Sequence, residues 1–188
     1  MNIFKEFCEI ANQFDEIQNM PLDANNKQYD KKGFILDLKS QVVQLNKFFT
    51  ELVPQQGGDA SETYFTPTIR PKINQVAYFN LGHGFPKELF GGHYCYILKE
   101  FNTKMLVVPT TSVKHNSKKT NKDYEIDINI KDFKNGYDTR LQVSDVRCVD
   151  LQRLYLKKGI FDVITNQKDI VNELKRIILG EVEKLEQE

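Results

Sequence analysis

Three histidines, His83, His93 and His115, are the only side chains of this 188-residue chain that ordinarily titrate near neutrality, at about 6.5. His93 follows Gly91-Gly92 and opens the apolar run Tyr94-Cys95-Tyr96-Ile97-Leu98. A second apolar run, Leu106-Val107-Val108-Pro109, ends in Thr110-Thr111-Ser112, whose hydroxyls can donate hydrogen bonds to oxygens that gain negative charge in a reaction. Lys114, Lys118, Lys119 and Lys122 follow within one loop, and Arg140 comes later. An imidazole, hydroxyl donors and cations together suit acid–base chemistry on a group that gains negative charge. Each group also has a plainer reading. A histidine opening a strand is commonly structural, Thr111 can cap its strand, and a lysine run is usually a solvated face. His115 beside the lysines reads as solvated. His83, in a Gly-His-Gly loop, reads either as an exposed loop residue or as a ligand contact.

Several chemistries are excluded by their missing motifs. The chain has no GxxxxGK[ST] phosphate loop, no HExxH, no paired CxxC and no GxSxG. Cys8, Cys95 and Cys148 are odd in number and lack metal spacing, as expected of reduced thiols in the cytoplasm. Cys95 reads as core. No metal and no cofactor are expected.

The elements that must position these groups follow from patterning. Ile3, Phe4, Phe7, Ile10, Ala11, Phe14 and Ile17 recur at helical spacing, and Pro21 ends the pattern. A second helix is predicted after Gly33, with Ile35, Leu38, Val42, Leu45, Phe49 and Leu52 on one apolar side, broken at Pro54. Together they predict a helical hairpin with one apolar seam, followed by a linker over 55–69. The texture then changes to strands over 73–81, 93–101, 104–112, 124–130 and 139–150, rich in β-branched and aromatic residues. A last helix follows Asn166. No run approaches the 18 apolar residues of a membrane span, and the acidic, amphipathic N-terminus is unlike a signal peptide.

Charge divides the same way. The chain carries 26 basic and 26 acidic side chains, so its net charge is zero. Residues 1–70 hold 7 basic and 10 acidic groups, residues 71–160 hold 15 and 9, and residues 161–188 hold 4 and 7. A basic middle between acidic ends would draw a polyanion to the middle alone.

The strand ending Val76-Ala77-Tyr78-Phe79-Asn80-Leu81-Gly82, the Gly91-Gly92-His93-Tyr94 entry, the run Val107–Ser112 and Asp145–Leu154 ahead of a final helix occur in an order that resembles the MazF/PemK family of toxin endoribonucleases, over residues 71–186. The resemblance implies an α+β fold. A small SH3-like antiparallel barrel with a C-terminal helix would occupy 70–188, after the helical hairpin and linker of 1–69. It implies a cytoplasmic homodimer that cuts single-stranded RNA rather than DNA, without metal, and is neutralised by an antitoxin. His93 stands where the family has its catalytic arginine, and Thr111 with Ser112 where it has its catalytic hydroxyl. His83 and Lys87, in the loop after the first strand, with Lys114, Lys118, Lys119 and Arg140, are the expected RNA contacts. Tyr78, Tyr94 and Phe85 could stack bases, and Glu88 belongs to the same loop. Arg147 and Asp150 match the family's later strand motif and read as an ion pair at the barrel wall. Gln142 and Ser144 stand where some members carry a catalytic Arg and Asp. The alternatives are a catalytically inactive SH3-like module that binds RNA or protein, and an adaptor working through its helical hairpin.

Overall fold

The alternation in the middle of the chain becomes seven antiparallel strands in a computed structural model that describes residues 2–16, 31–85, 87–133 and 138–180. They are β1 (Gln75–Asn80), β2 (Gly92–Glu100), β3 (Lys104–Val113), β4 (Glu125–Ile128), β5 (Asp138–Gln142), β6 (Arg147–Asp150) and β7 (Ile160–Asp162). Their order is β4-β5-β3-β2-β1-β7, with β6 also paired to β3. Strand β3 is the spine. Met105–Pro109 pair with β2, while on the other edge Lys104–Val107 pair with β6 and Thr110–Val113 with β5. The two ends of the order meet through an Ile130–Val163 bridge, where Lys131 N–H donates to Asp162 O at 2.8 Å and Ile164 N–H to Asn129 O at 2.8 Å.

Alternate residues of a strand face opposite sides, and the central strands bury both. Val76, Tyr96 and Val108 join Ile126, Ile128 and Leu141 in one core. Ala77, Phe79, Cys95, Ile97 and Val107 join Met105, Val149 and Leu151 in another. The C-terminal helix (Gln167–Leu179) closes the first core with Ile170 and Leu174. It starts where expected: the Asn166 side chain accepts from Lys168 N–H at 2.9 Å, a standard N-cap. It stops at Gly180, whose φ of 77° only glycine adopts freely.

Three expectations change. The segment 139–150 is two strands, because the single turn Val143–Asp145 carries the chain from one half of β3 to the other with Val143 buried. Proline does not simply end the second helix. After α1 (Ile3–Glu16), α2 (Lys31–Lys47) widens over Phe48–Leu52, with Val53 N–H reaching Phe48 O, and then adds a last turn, α3 (Val53–Gln55). Pro54 has no N–H to donate to the preceding turn, and the loosened ladder accommodates it. The C-terminal helix is therefore α4. The residues 55–69 are not a slack linker: Asp59 Oδ1 accepts from Ser61 N–H and Oγ, Thr63 is buried, and Phe65 packs on the second core.

The hairpin also packs differently from its apolar pattern. Phe14 and Phe34 bring α1 and α2 together at 4.5 Å between ring centroids. The residues joining them, with Ile17 and Pro21, lie outside the described residues. The half-buried stripe of α2 is Phe34, Asp37, Gln41, Gln44 and Phe48, while Ile35, Val42, Leu45 and Phe49 are exposed. Of the predicted seam, Phe14 and Leu52 are half-buried and the other described residues point outward.

Leu174 is 3 % exposed and Leu179 67 %. Leu174→Ala should therefore cost about 2–5 kcal/mol in urea denaturation and Leu179→Ala less than about 0.5 kcal/mol. Equal effects would show that α4 is not part of the core.

Candidate functional site

The end of β3 builds the site where its pairing with β2 stops. Pro109 lies opposite Cys95, and the β2–β3 pairing stops there. Side chains take over. Thr110 Oγ1 donates to Tyr94 O at 2.9 Å, and His93 Nδ1 lies 3.2 Å from Thr110 O. A carbonyl only accepts, so Nδ1 carries the proton in this contact, and Nε2 of the neutral ring is left with the lone pair.

Beyond that junction the strands part over a cleft of about 460 Å³. His93, Thr110, Thr111, Ser112, Lys114 and Thr139 line it, with Tyr78, Tyr94 and Phe133 as its aromatic wall. Tyr78 and Tyr94 are direct cross-strand partners, 5.1 Å apart edge to face, and Tyr94 meets Phe133 at 4.8 Å. Burial pushes both phenols above their ordinary pKa, and Asp37 adds to the effect at Tyr78. Gly92 makes this wall possible. A Cβ there would lie 2.1 Å from the Tyr78 hydroxyl, so only glycine lets the ring lie across the start of β2.

Thr111 and Ser112 are successive strand residues, and their side chains diverge. Ser112 is exposed, in register with Thr139. Thr111 Oγ1 accepts from Gln142 Nε2 at 3.1 Å. The same Nε2 donates to Glu125 Oε1 at 3.1 Å. An ionised carboxylate only accepts, which fixes the amide orientation of Gln142 and makes Thr111 Oγ1 the acceptor. The Thr111 hydroxyl hydrogen is thereby left for another oxygen. Gln142 was not among the predicted site residues; its partners lie 31 and 17 residues away, beyond the reach of local spacing.

The remaining predicted residues separate. Arg140 is 7 % exposed and does not offer its charge to a ligand. It donates to Asp127 Oδ1 at 2.7 Å, Glu125 Oε2 at 3.3 Å, Thr120 Oγ1 at 2.6 Å and Lys118 O at 3.1 Å. Two carboxylates balance it, and its work is to pin the lysine loop to β4 and β5. Burial pushes the Asp127 carboxyl up, but hydrogen bonds from Arg140 and Thr120 outweigh this and leave it below the ordinary carboxylate value. Lys118, Lys119 and His115 are exposed on that loop, outside the cleft lining, and Lys87 and Phe85 are exposed on the loop after β1.

His83 is covered rather than open. Phe34 meets its ring at 4.6 Å, Phe90 at 4.3 Å, and Asp37 Oδ2 is 3.8 Å from its Nδ1. Arg147 and Asp150 are not an ion pair. Arg147 Nη2 donates to Asp145 Oδ1 at 3.1 Å, and Asp150 Oδ1 accepts from Gln152 N–H at 2.8 Å. Ser144 Oγ donates to Asp145 Oδ2 at 3.2 Å, and Glu88 Oε2 accepts from Phe85 N–H. Cys95 is buried, and burial pushes its thiol well up, away from any nucleophilic role. Among the described residues, no three potential metal ligands come together, and no helix is long and apolar enough to cross a membrane.

No protein-family model matches the chain, and no curated protein matches it.

Two consequences can be measured. Gly92→Ala must eject the Tyr78 ring, so the near-ultraviolet circular dichroism of the tyrosine cluster should fall while far-ultraviolet signal is kept; an unchanged spectrum would contradict the close approach. Asp127 has a folded pKa below its unfolded one, so its contribution is complete above the ordinary carboxylate range and is lost as pH falls through the folded value. Asp127→Asn should therefore flatten the acid limb of a melting-temperature profile between about pH 2 and about pH 7. An acid limb as steep as in the native chain would remove the pair from that role.

Proposed function

We propose that this chain is a metal-independent endoribonuclease of the MazF/PemK kind, cutting single-stranded RNA at the cleft between the ends of β2 and β3. The observation that carries the reading is the junction after Pro109, where one cleft is lined by a histidine whose Nε2 holds the lone pair and a threonine whose hydroxyl hydrogen is free. In this reading Nε2 of His93 takes the proton of a ribose 2′-hydroxyl as that oxygen bonds to the adjacent phosphorus. The bond to the 5′-oxygen breaks, and the leaving oxygen gains a proton from the imidazolium or from water. The products are a 2′,3′-cyclic phosphate and a 5′-hydroxyl. Thr111, on the same face as His93, donates to a non-bridging oxygen, and Lys114 offsets the charge. Tyr78 and Tyr94 supply faces for the bases next to the cut.

The bridge between Ile130 and Val163 supports reading the sheet as a closed, SH3-like barrel. A homodimer and a neutralising antitoxin in the cytoplasm belong to the same proposal. The exposed apolar stripes of α1 and α2 are its support for a protein partner.

Those stripes also favour the second reading, an inactive module that works by binding. Incubation of a long single-stranded RNA with the protein in EDTA separates them. The expected result is discrete fragments with cyclic-phosphate ends, slowed by about 10²–10⁴-fold in His93→Ala. Intact RNA after incubation with folded native protein would sink the nuclease and leave the binding module.

A further inference from the structure

A second cleft, of about 300 Å³, lies against the first. Tyr78 and Gly92 line both, so the two form one groove with Tyr78 at its middle. Beyond Tyr78 the lining includes Arg153, Tyr155 and Lys158, with Asp37 of α2 on the facing wall. None of these was among the residues that sequence spacing singled out.

The chemistry of this half is that of a track for a charged chain carrying flat rings. Tyr155 stands 6.3 Å from Tyr78 between ring centroids, and Lys158 Nζ lies 5.6 Å from the Tyr78 ring. Arg153 Nη1 donates to Asn80 O at 3.2 Å, which aims the guanidinium along the end of β1. Among the described residues neither Arg153 nor Lys158 forms an ion pair, in contrast to Arg140 and Arg147. Tyr94 hydroxyl donates to Lys158 O at 2.8 Å, tying the turn that carries the lysine to the wall of the first cleft. Aromatic faces interleaved with unmatched cations are the usual means of following a single strand, whose bases are free to stack. A duplex, with its bases already stacked, offers this groove nothing to pair with Tyr78 and Tyr155.

We infer that the second cleft is a flank-binding subsite for single-stranded RNA, in which Arg153 and Lys158 hold phosphates and Tyr155 extends the stacking row begun by Tyr94 and Tyr78. It rests on the RNA reading of the first cleft and lengthens the bound segment toward α2. Among the described residues Asp37 is the one carboxylate lining this half, and it lies 3.8 Å from His83 Nδ1 of the loop after β1.

The test uses the full chain and 2′-O-methyl RNA, which lacks the attacking hydroxyl and stays intact, at about four and about twelve nucleotides, with fluorescence anisotropy as the readout. The native protein should bind the longer oligomer more tightly. Arg153→Ala with Lys158→Gln should weaken the longer oligomer at least tenfold and leave the shorter one unchanged. The slope of log Kd against log salt for the longer oligomer should fall by about 1.4, as for two phosphate contacts on a single strand. Because Arg153 also holds Asn80 O, Lys158→Gln alone is the second variant; it keeps the carbonyl that Tyr94 uses and should lower the slope by about 0.7, half of that fall. Equal weakening of both lengths, or none of either, overturns the subsite. Equal affinity of the native protein for both lengths overturns it too, and leaves the first cleft standing. Native protein that binds neither length overturns this inference together with the RNA reading on which it rests.

Discussion

Strand β3 has two hydrogen-bonding edges and three partners, and the architecture follows from how that is resolved. One edge belongs to β2 as far as Pro109, where that pairing stops. The other is divided, Lys104–Val107 to β6 and Thr110–Val113 to β5. A strand shared in this way must bend, and the register shift between Ile97 and Lys99 in β2 lets its neighbour follow. The same division leaves the last residues of β3 without β2 as a backbone partner. The cleft opens there, with Thr110 and His93 side chains holding what the ladder no longer holds. Site and fold thus meet at one place, the end of the β2–β3 pairing just before two threonines and a serine.

Much of this was legible in the chain itself, because period-two alternation is a local property. The runs around Val76, Tyr96, Val107 and Ile126 declare strands, and Asn166 marks where the last helix starts. The grouping of His93, Thr111, Ser112 and Lys114 was legible too, since each closes or opens a strand at the same end. What could not be read is what depends on partners far along the chain. Arg140 looks like a free cation until β4 places Asp127 and Glu125 beside it. Gln142 looks inert until Glu125 and Thr111 are found on either side of its amide. The division of 139–150 into two strands depends on β3, which the segment itself does not contain.

Electrostatics gain from the same correction. Residues 71–160 carry 15 basic and 9 acidic groups, which suggests a broadly basic surface. Arg140 and Arg147 are matched by Asp127, Glu125 and Asp145, so they add nothing to an outward field. What remains includes Lys114 at one end of the groove, Arg153 and Lys158 at the other, Lys118 and Lys119 on a loop that Arg140 holds in place, and lysines exposed elsewhere such as Lys72, Lys99 and Lys131. A few placed charges beside aromatic faces favour a particular ligand path, whereas a diffuse basic surface would favour any polyanion.

The hairpin shows how packing can reverse an amphipathic pattern. A helix usually docks by its apolar stripe, because burying that stripe gains about 25 cal/mol per Å². Helix α2 instead turns Asp37, Ser40 and Gln44 toward the groove and leaves Ile35, Val42 and Leu45 exposed. Its contacts with the groove are therefore largely ones that water or a competing charged chain can replace at small net cost, since a hydrogen bond to protein is exchanged for one to solvent. The outer stripe is different, because only another apolar surface can satisfy it. The two faces belong to one continuous helix from Lys31 to Lys47, so whatever covers the outer face also sets how α2 lies along the groove.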